Sequence, residues 1–391
     1  MGARLLGVCV VAAVLATSAC APISASLTTS PLPSASRARI SVPIATGAAV
    51  RPDHPIIVKV ANGRLTDVMV TGPDGRLDGA LSQDAHQWVS SLGSLDFGSS
   101  YTVNAQAVDR WGTPTQTTTD FTTLIASKRL QASISPVEGD VVGVGMPITV
   151  HFNRAVSSAD TRAAVESRLS VVSSPSVEGA WSWAGDHDVL YRPRNYWPGH
   201  TAIKVSANLK GVSIGQSIWG QRNVESIFHT GAALVSTVDL QTHELTVKQD
   251  GKVLRVIPVT AGKPGFQTRS GIKVIVSKER TRIMDAATGG TLKTDPEYYR
   301  LKVEYAMRVT WTGEFLHAAP WSVYAQGHQN VSHGCTGMST SNAAWYYSIS
   351  SPGDVVIYRG SDRTVERGNG ITVWNVSWSD WQAGSALQTT S

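Results

Sequence analysis

A single cysteine near the end of the chain follows three closely spaced histidines. His317, His328 and His333 all precede Cys335 within eighteen residues. A thiol attacks a carbonyl carbon only as the thiolate, so a catalytic cysteine needs a group that lowers its pKa or takes its proton. Imidazole performs this task near neutral pH. The spacing indicates a cysteine nucleophile with a histidine base. The residue types alone leave two alternatives, an inert buried cysteine and a zinc site formed by the histidines.

The residues that flank the cysteine suit carbonyl chemistry. Gly334 has no side chain, so the backbone can turn sharply there and a substrate can approach the thiol. The backbone amides of Gly334, Cys335 and Thr336 are candidates for stabilising an oxyanion. Ser339 is a helix-capping residue type, and the pattern that follows predicts a short helix over 339–349. The positive end of that helix would then lie close to the thiol.

The N-terminus predicts export. Arg4 precedes an apolar stretch over 5–16, which ends in small residues before Cys20. This stretch is shorter than the roughly 20 residues that span a bilayer, and it is typical of an export signal over 1–20. Small residues ending at a cysteine resemble a bacterial lipoprotein signal, which implies lipidation of Cys20. Cleavage near Ala19 or Ala21 is the alternative.

Composition indicates a β-rich chain that is neither disordered nor suited to nucleic acid. Apolar residues make up 42% and charged residues 16% of the sequence, and Ser, Thr, Val and Gly are abundant. The net charge of +5 comes from 34 basic and 29 acidic residues, without a dense basic run, so we expect no nucleic-acid partner. Once Cys9 leaves with the signal and Cys20 is acylated, one thiol remains, which excludes a disulfide framework.

Two repeated units and a third, different one are expected after a Ser/Thr/Pro-rich tether over 21–38. The strand pattern at 54–60 recurs at 146–152, which predicts two Ig-like β-sandwiches over 39–124 and 128–231. We expect them to act as spacers or docking modules, so that turnover of soluble substrates survives deletion of 39–231. In the second unit, Trp181, Trp183 and Trp197 are expected to pack in the core rather than stack on sugars.

The third unit, over 233–359, is predicted to be a small β-rich domain with one helix. Its clearest feature is a hairpin over 244–259 that turns at Asp250-Gly251. A C-terminal extension over 360–391 carries Trp374, Trp378 and Trp381 at helical spacing, which predicts a helical stripe packed on the preceding domains.

His317, its distance from the cysteine, and Ser332-His333-Gly334-Cys335 together resemble the signature of the L,D-transpeptidases, which cross-link bacterial peptidoglycan. The order of segments is similar to that of the mycobacterial members. The resemblance implies a mainly β chain, with two tandem Ig-like β-sandwiches followed by a β-rich catalytic domain with a short helix after the nucleophile.

The resemblance also implies roles for individual residues. Cys335 corresponds to the nucleophile and His317 to the base, whose ring is held by the backbone carbonyl of Ala318. Further correspondences are the loop-shaping and oxyanion residues His333 and Gly334, the lid residue Tyr299, the strand edge Thr312 and Gly313 along the donor peptide, and the pocket-wall residue Trp321. Gly337 departs from the family pattern, which has Asn or Arg there, so a substrate-facing donor is missing. Substrate preference or β-lactam sensitivity is therefore expected to differ from that of relatives.

The implied reaction has two steps and needs no cofactor or metal, because a thioester conserves the bond energy. A tetrapeptide donor acylates the cysteine and releases D-Ala. The side-chain amine of a second diaminopimelyl stem then forms a 3→3 cross-link. Carbapenems are the implied covalent inhibitors, and the implied location is the outer face of the cytoplasmic membrane, through a lipid anchor, and the periplasm or cell wall.

Three alternatives remain open on the sequence. Water as acceptor would make the protein an L,D-carboxypeptidase. A cell-wall cysteine peptidase also uses Cys and His, although its commonest form places Cys first. A non-catalytic cell-wall binding paralogue would explain the Ig-like units and leave His317 and Cys335 unused.

Overall fold

The computed structural model describes residues 35–44, 49–91, 95–215 and 217–387. The expected export signal over 1–20, Cys20 and most of the expected tether over 21–38 lie outside these residues. Within them, no helix is both long and apolar enough to cross a bilayer. The chain is mainly β, as predicted, and the described strands form two sandwiches followed by a third unit built on two further sheets.

The first sandwich packs two four-stranded sheets, ordered β1-β2-β6-β5 and β4-β3-β7-β8. Alternate residues of its long strands point into one core, as Tyr101, Val103 and Ala105 do. Its strands are β1 (Arg39–Ser41), β2 (Ile57–Ala61), β3 (Gly63–Gly72), β4 (Gly75–Arg76), β5 (Gly79–Leu81), β6 (Gln87–Ser90), β7 (Ser100–Asp109) and β8 (Pro114–Thr122).

The second sandwich has sheets ordered β10-β12-β15-β14 and β11-β18-β16-β13, and β9 pairs with β17 beside them. Trp181, Trp183 and Trp197 are buried in its core, which confirms the core-packing interpretation. Its elements are β9 (Lys128–Leu130), β10 (Ala132–Ser135), β11 (Val141–Val142), β12 (Ile148–Phe152), α1 (Ala159–Glu166), β13 (Leu169–Ser174), β14 (Gly179–Ala184), β15 (Asp188–Pro193), β16 (Ala202–Ala207), β17 (Ile218–Gly220) and β18 (Val224–Thr230).

The third unit combines a sheet ordered β21-β20-β19-β27-β22 with a sheet ordered β23-β24-β25-β26. The predicted hairpin is present, and Asp250 and Gly251 both have positive φ, as a two-residue turn of this kind requires. The elements are β19 (Leu234–Asp239), β20 (Glu244–Gln249), β21 (Lys252–Pro258), β22 (Gly271–Val274), β23 (Ser277–Asp285), β24 (Arg300–Arg308), β25 (Phe315–Ala318), β26 (Thr336–Met338), α2 (Thr340–Ile349) and β27 (Val355–Arg359).

The C-terminal extension differs from the predicted continuous helical stripe. A 3₁₀ turn covers Val373–Asn375, the chain is extended at Val376 and Ser377, and α3 (Trp378–Gln382) then begins with Ser377 as its cap. The three tryptophans of the stripe instead surround the buried guanidinium of Arg192 on β15, with ring centroids about 5 Å from its carbon. Attraction between a cation and aromatic rings organises this segment, and the expectation that it packs on a preceding domain is confirmed.

The second sandwich and the third unit share buried surface. Val355 of β27 belongs to the core of the second sandwich, and the Trp374 indole N–H donates to the Gly145 carbonyl over 2.8 Å. Gly143 lies so close to β27 that a Cβ there would stand 2.1 Å from the Asp354 nitrogen. The first sandwich has a separate core, and polar contacts such as Lys210–Asp96 join it to the second.

Candidate active site

His317 and Cys335 are brought together by two neighbouring parallel strands. His317 lies on β25 opposite Gly337 of β26, and Cys335 lies two residues before Gly337. Since side chains alternate between faces along a strand, a residue two positions from Gly337 points to the same face. Both side chains line one cavity of about 230 Å³. The lining also includes Thr260, Met284, Tyr299, Leu301, Ala319, Trp321, Ser322, Tyr324, Val331, Ser332, His333 and Gly337.

The ring of His317 is oriented by its own strand. Its Nδ1 lies 2.8 Å from the carbonyl oxygen of Ala318, as the resemblance implied. A carbonyl oxygen only accepts hydrogen bonds, so Nδ1 carries the proton and Nε2 of the neutral ring is free to accept one. Burial lowers the pKa of His317, although the bond to Ala318 opposes this. The ring is therefore neutral near pH 7 and ready to act as a base.

The thiol of Cys335 is buried and protonated at rest. Its Sγ donates to the carbonyl oxygen of Gly313 over 3.6 Å. Burial raises the pKa of Cys335 to about 11, and the nearby Glu314 carboxylate adds to the rise. The Phe315 amide and two cations, Lys273 and Arg308, lower that pKa but do not offset burial. Since thiol and imidazole are both neutral at rest, the proton has to leave the sulfur during the attack itself.

The loop before the nucleophile has a tight turn at Gly334 that several hydrogen bonds hold in place. Gly334 has φ +121°, which favours glycine. The Gly334 amide donates to the Ser332 hydroxyl over 3.1 Å, and that hydroxyl donates to the Cys335 carbonyl over 2.6 Å. Thr268, on the opposite side, donates to the Gly334 carbonyl over 2.8 Å. The Gly334 amide can therefore serve an oxyanion only if it exchanges its bond to Ser332.

The helix after the nucleophile is placed differently from the simplest sequence expectation. It begins at Thr340 with Ser339 as its cap, as predicted, but strand β26 separates it from Cys335. The two cations that lower the pKa of the thiol, Lys273 and Arg308, lie on β22 and β24. The contacts of α2 with β24 and β25 instead support the sheet that carries the site.

His333 joins the nucleophile loop to the segment that carries Tyr299. Its Nε2 lies 2.6 Å from Glu297, and Lys263 lies 2.6 Å from the same carboxylate. The Tyr299 ring packs 4.9 Å from the His333 ring, and burial raises the pKa of Tyr299 to about 12. His333 is thus engaged by a carboxylate. Among the residues that the structure describes, no cluster of three or more His, Cys, Asp or Glu side chains is arranged to hold a metal ion.

Thr312 and Gly313 lie in a turn, not on a strand edge as expected. The turn joins β24 to β25, and Gly313 has φ +105°. The backbone amide of Thr312 already has a hydrogen-bond partner, because it donates to the Asn369 side-chain oxygen over 3.0 Å. The Asn369 side-chain amide donates back to the Thr312 hydroxyl over 2.9 Å. The C-terminal extension therefore fixes this turn. Gly313 remains next to the nucleophile through its carbonyl bond to Sγ.

Trp321 and Gly337 both contribute to the cavity wall. The Trp321 side chain is 53% exposed, and its ring centroid lies 6.0 Å from that of His317. At Gly337 an added Cβ would stand 2.8 Å from Cβ of Ala319 and 3.3 Å from Cγ2 of Thr260. The glycine that departs from the family pattern thus permits a close approach of Ala319 and Thr260 to β26, and a larger residue there would have to displace these neighbours.

The sequence interpretation missed a cluster of buried charges behind the nucleophile. Lys273 is fully buried, and its Nζ lies 2.6 Å from Oε2 of Glu314. Arg269 binds the other oxygen of that carboxylate over 3.0 Å and also binds the partly exposed Glu366. The available signal was a lysine within the otherwise apolar stretch Gly271–Val274. A charged residue in such a strand is expected to have a buried partner.

Comparison with known proteins identifies relatives over most of the chain. A family model described as a bacterial Ig domain matches residues 47–213, and one described as the L,D-transpeptidase catalytic domain matches residues 234–357. The chain is 35% identical over 351 residues to L,D-transpeptidase 2 of Mycobacterium tuberculosis, with 89% of this chain and 85% of the relative covered. It is 38% identical over 225 residues to L,D-transpeptidase 1 of the same organism, with coverages of 58% and 83%.

A solved structure also resembles this one. The structure of an LD transpeptidase in complex with imipenem aligns with a TM-score of 0.51 and 38% identity, and the alignment covers 58% of this chain and 98% of that one.

Proposed function

The chain belongs to the L,D-transpeptidase family, and on that premise we propose that Cys335 and His317 carry its acyl transfer between peptidoglycan stem peptides. The enzyme is an acyltransferase of peptidoglycan cross-linking. The observation that supports the two assignments is that His317 on β25 and Cys335, directly before β26, line one cavity. The bond from Nδ1 to the Ala318 carbonyl favours the tautomer in which Nε2 can accept a proton. A nucleophile and a base presented to one cavity are the minimum requirement for this chemistry.

Acylation begins when the thiol turns from the Gly313 carbonyl toward His317. Nε2 takes the proton while Sγ attacks the carbonyl at the L-centre of the donor's diaminopimelyl residue. Backbone amides of the nucleophile loop stabilise the resulting oxyanion. When the bond to D-Ala breaks, the imidazolium returns its proton to the departing amine. The products are a thioester on Cys335, free D-Ala and a neutral base.

In the second step, the sulfur becomes the leaving group. The side-chain amine of another diaminopimelyl stem attacks the thioester, His317 accepts the amine's proton, and the sulfur leaves and is reprotonated. An amide bond replaces the thioester, which gives the 3→3 cross-link. If water replaces the amine, the same groups yield a carboxypeptidase reaction, so the acceptor determines which product forms.

The surrounding residues hold the reacting groups in place. Ala318 fixes the tautomer of the base through its carbonyl, and Gly334 and His333 shape the nucleophile loop. We assign Tyr299 to a lid over the donor and Trp321 to the cavity wall. Thr312 and Gly313 contribute a turn beside the donor, and Gly337 allows Ala319 and Thr260 to pack closely at the cavity wall.

Covalent labelling tests this proposal. Incubation of the full chain with a carbapenem should add one inhibitor mass, and peptide mapping should place it on the fragment containing Cys335. The same protein should release D-Ala from a tetrapeptide stem and yield a dimer of stems. A protein that binds peptidoglycan but shows neither the adduct nor D-Ala release would be a non-catalytic paralogue.

We further propose that Cys20 anchors the chain to the outer face of the membrane. Support comes from the apolar stretch and the small residues that precede this cysteine, and from a reaction that requires export to the cell wall. We expect the wild-type chain in the membrane fraction after a high-salt wash, which removes proteins held by charge alone. Cys20→Ser should move it to the soluble fraction. A Cys20→Ser chain that stays with the membrane would contradict lipidation.

A further inference from the structure

The buried charge cluster lies beside the segment that contacts the nucleophile. Glu314 lies between Gly313, whose carbonyl accepts from Sγ, and Phe315, whose amide faces the sulfur. The Glu314 side chain also packs against the nucleophile loop, because a Cβ built at Gly334 would lie 3.8 Å from its Cγ. The residue Glu314 therefore adjoins Gly313 and Phe315 in the chain and lies close to the nucleophile loop at Gly334.

Lys273 extends the cluster to the strand that follows the nucleophile. Its ammonium lies 3.8 Å from the ring centroid of Tyr358, and the Tyr358 hydroxyl lies 3.0 Å from the Thr336 hydroxyl. Thr336 is the residue directly after Cys335. The chain of contacts from Glu314 through Lys273 and Tyr358 to Thr336 thus closes a ring around the residue that carries the thiol.

A buried ion pair is an unfavourable way to stabilise a fold. Removing two charges from water costs more than a surface ion pair returns, and apolar residues of similar volume often stabilise a fold as well or better. Here the pair is held at 2.6 Å with one partner fully buried, directly behind a sulfur that must become negative during the reaction. A fixed cation near developing negative charge assists such a step.

We propose that the buried Lys273–Glu314 pair is a positioning element of the acyl transfer, which holds both segments beside the thiol and sets the electric field in which Cys335 loses its proton. Lys273 favours the thiolate and Glu314 opposes it, so the balance between them decides how readily the sulfur ionises. The inference rests on the proposed role of Cys335 as the nucleophile.

Other ionisable groups also face the sulfur. They are Arg308 of β24, Tyr299 before β24, Tyr358 of β27, and His317 across the cavity. Arg269 lies behind Glu314 and connects the cluster to the solvent-exposed Glu366. A test of the pair therefore has to leave these groups in place and compare charge changes of opposite sign.

The test measures alkylation of Cys335 by iodoacetamide between pH 7 and 9.5 on the full chain, read by peptide mass spectrometry so that Cys9 and Cys20 are not counted. Lys273→Met removes a nearby cation and should slow alkylation at each pH by about threefold to tenfold, the effect of roughly one pKa unit on a thiol. Glu314→Gln removes the opposing anion and should accelerate it. The double variant should fall between the two single variants.

Glu366→Gln is the matched control, because it removes a carboxylate at the exposed end of the same cluster, where water screens the charge. Its alkylation rate should stay within about twofold of wild type. Rates that fall in both single variants, or that do not change, would overturn the inference, since a merely structural pair gives no opposite signs. If Lys273→Met does not fold, the Glu314→Gln variant decides alone. Faster alkylation in that folded variant supports the inference, and an unchanged or slower rate overturns it.

Alkylation does not depend on peptidoglycan turnover, so the two proposals fail separately. Opposite shifts in a protein that releases no D-Ala would support the electrostatic role and reject the proposed function. D-Ala release from the wild type without opposite shifts would retain the function and reject the role of the pair.

Discussion

Replacing His317 by Gln should slow acylation of Cys335 by a carbapenem about 100-fold to 10,000-fold, the usual contribution of a general base. With a thiol pKa raised to about 11, only about one molecule in ten thousand carries the thiolate at pH 7. Glutamine fills the site but takes no proton. Rapid-mixing measurements of adduct formation, with intact mass as the readout, check the rate. Cys335→Ala should abolish the adduct completely.

The control for this prediction is His328→Gln. His328 belongs to the same group of three histidines in the sequence, but it is absent from the lining of the cavity described around Cys335. It should acylate at the wild-type rate. If His317→Gln also reacts at that rate, another group takes the proton and the assignment of the base is wrong.

The pH dependence of acylation gives a second check on His317. Burial lowers the pKa of this imidazole, so its neutral, proton-accepting form persists to a lower pH than that of an exposed histidine. The acylation rate should therefore stay high through mildly acidic pH and fall only as the ring becomes protonated below its lowered pKa. A rate that declines already through the range of an ordinary histidine would contradict a buried neutral base.

Removing residues 1–231 should prevent the remaining chain from folding as a stable enzyme, whereas removing residues 1–124 should preserve the fold and acylation. The first sandwich has its own core, and its contacts with the second include the Lys210–Asp96 ion pair and the packing of Phe97 on Trp219, so its removal leaves the core of the second sandwich in place. The second sandwich shares its core with Val355, and its Arg192 fills the space between the C-terminal tryptophans. Thermal melting and carbapenem acylation of both truncated chains check the contrast.

This outcome would replace the simpler expectation that both sandwiches are dispensable spacers. In the longer truncation, Trp374 would lose its carbonyl partner on Gly145, and Glu166 would no longer bind the backbone of Ala386. Buried apolar surface and the tail that crosses it would become exposed to water together. A chain starting after residue 231 that melts at the same temperature as the shorter truncation would show that the interface is not needed.

Local sequence patterns were sufficient to predict the turns and helix caps, because a few neighbouring residues determine their conformation. Asp250-Gly251 specifies its hairpin, because both residues tolerate the positive φ that the turn demands. Ser339 caps α2 because its hydroxyl reaches the amide of Asn342. The nucleophile motif and its histidine were also visible, since the chemistry dictates their residue types. What failed was the helical stripe of tryptophans, where spacing matched a helix but a distant arginine set the geometry.

By itself, the sequence determined a mainly β chain with Ig-like units, one candidate nucleophile and one candidate base. Only the tertiary structure decided which residues surround them. Lys273 and Glu314 are 41 residues apart, and Thr312 and Asn369 are 57 apart. Turns and caps depend on the conformation of a few neighbouring residues, whereas such pairs depend on which strands become neighbours in a sheet, and that is settled by the packing of the whole chain.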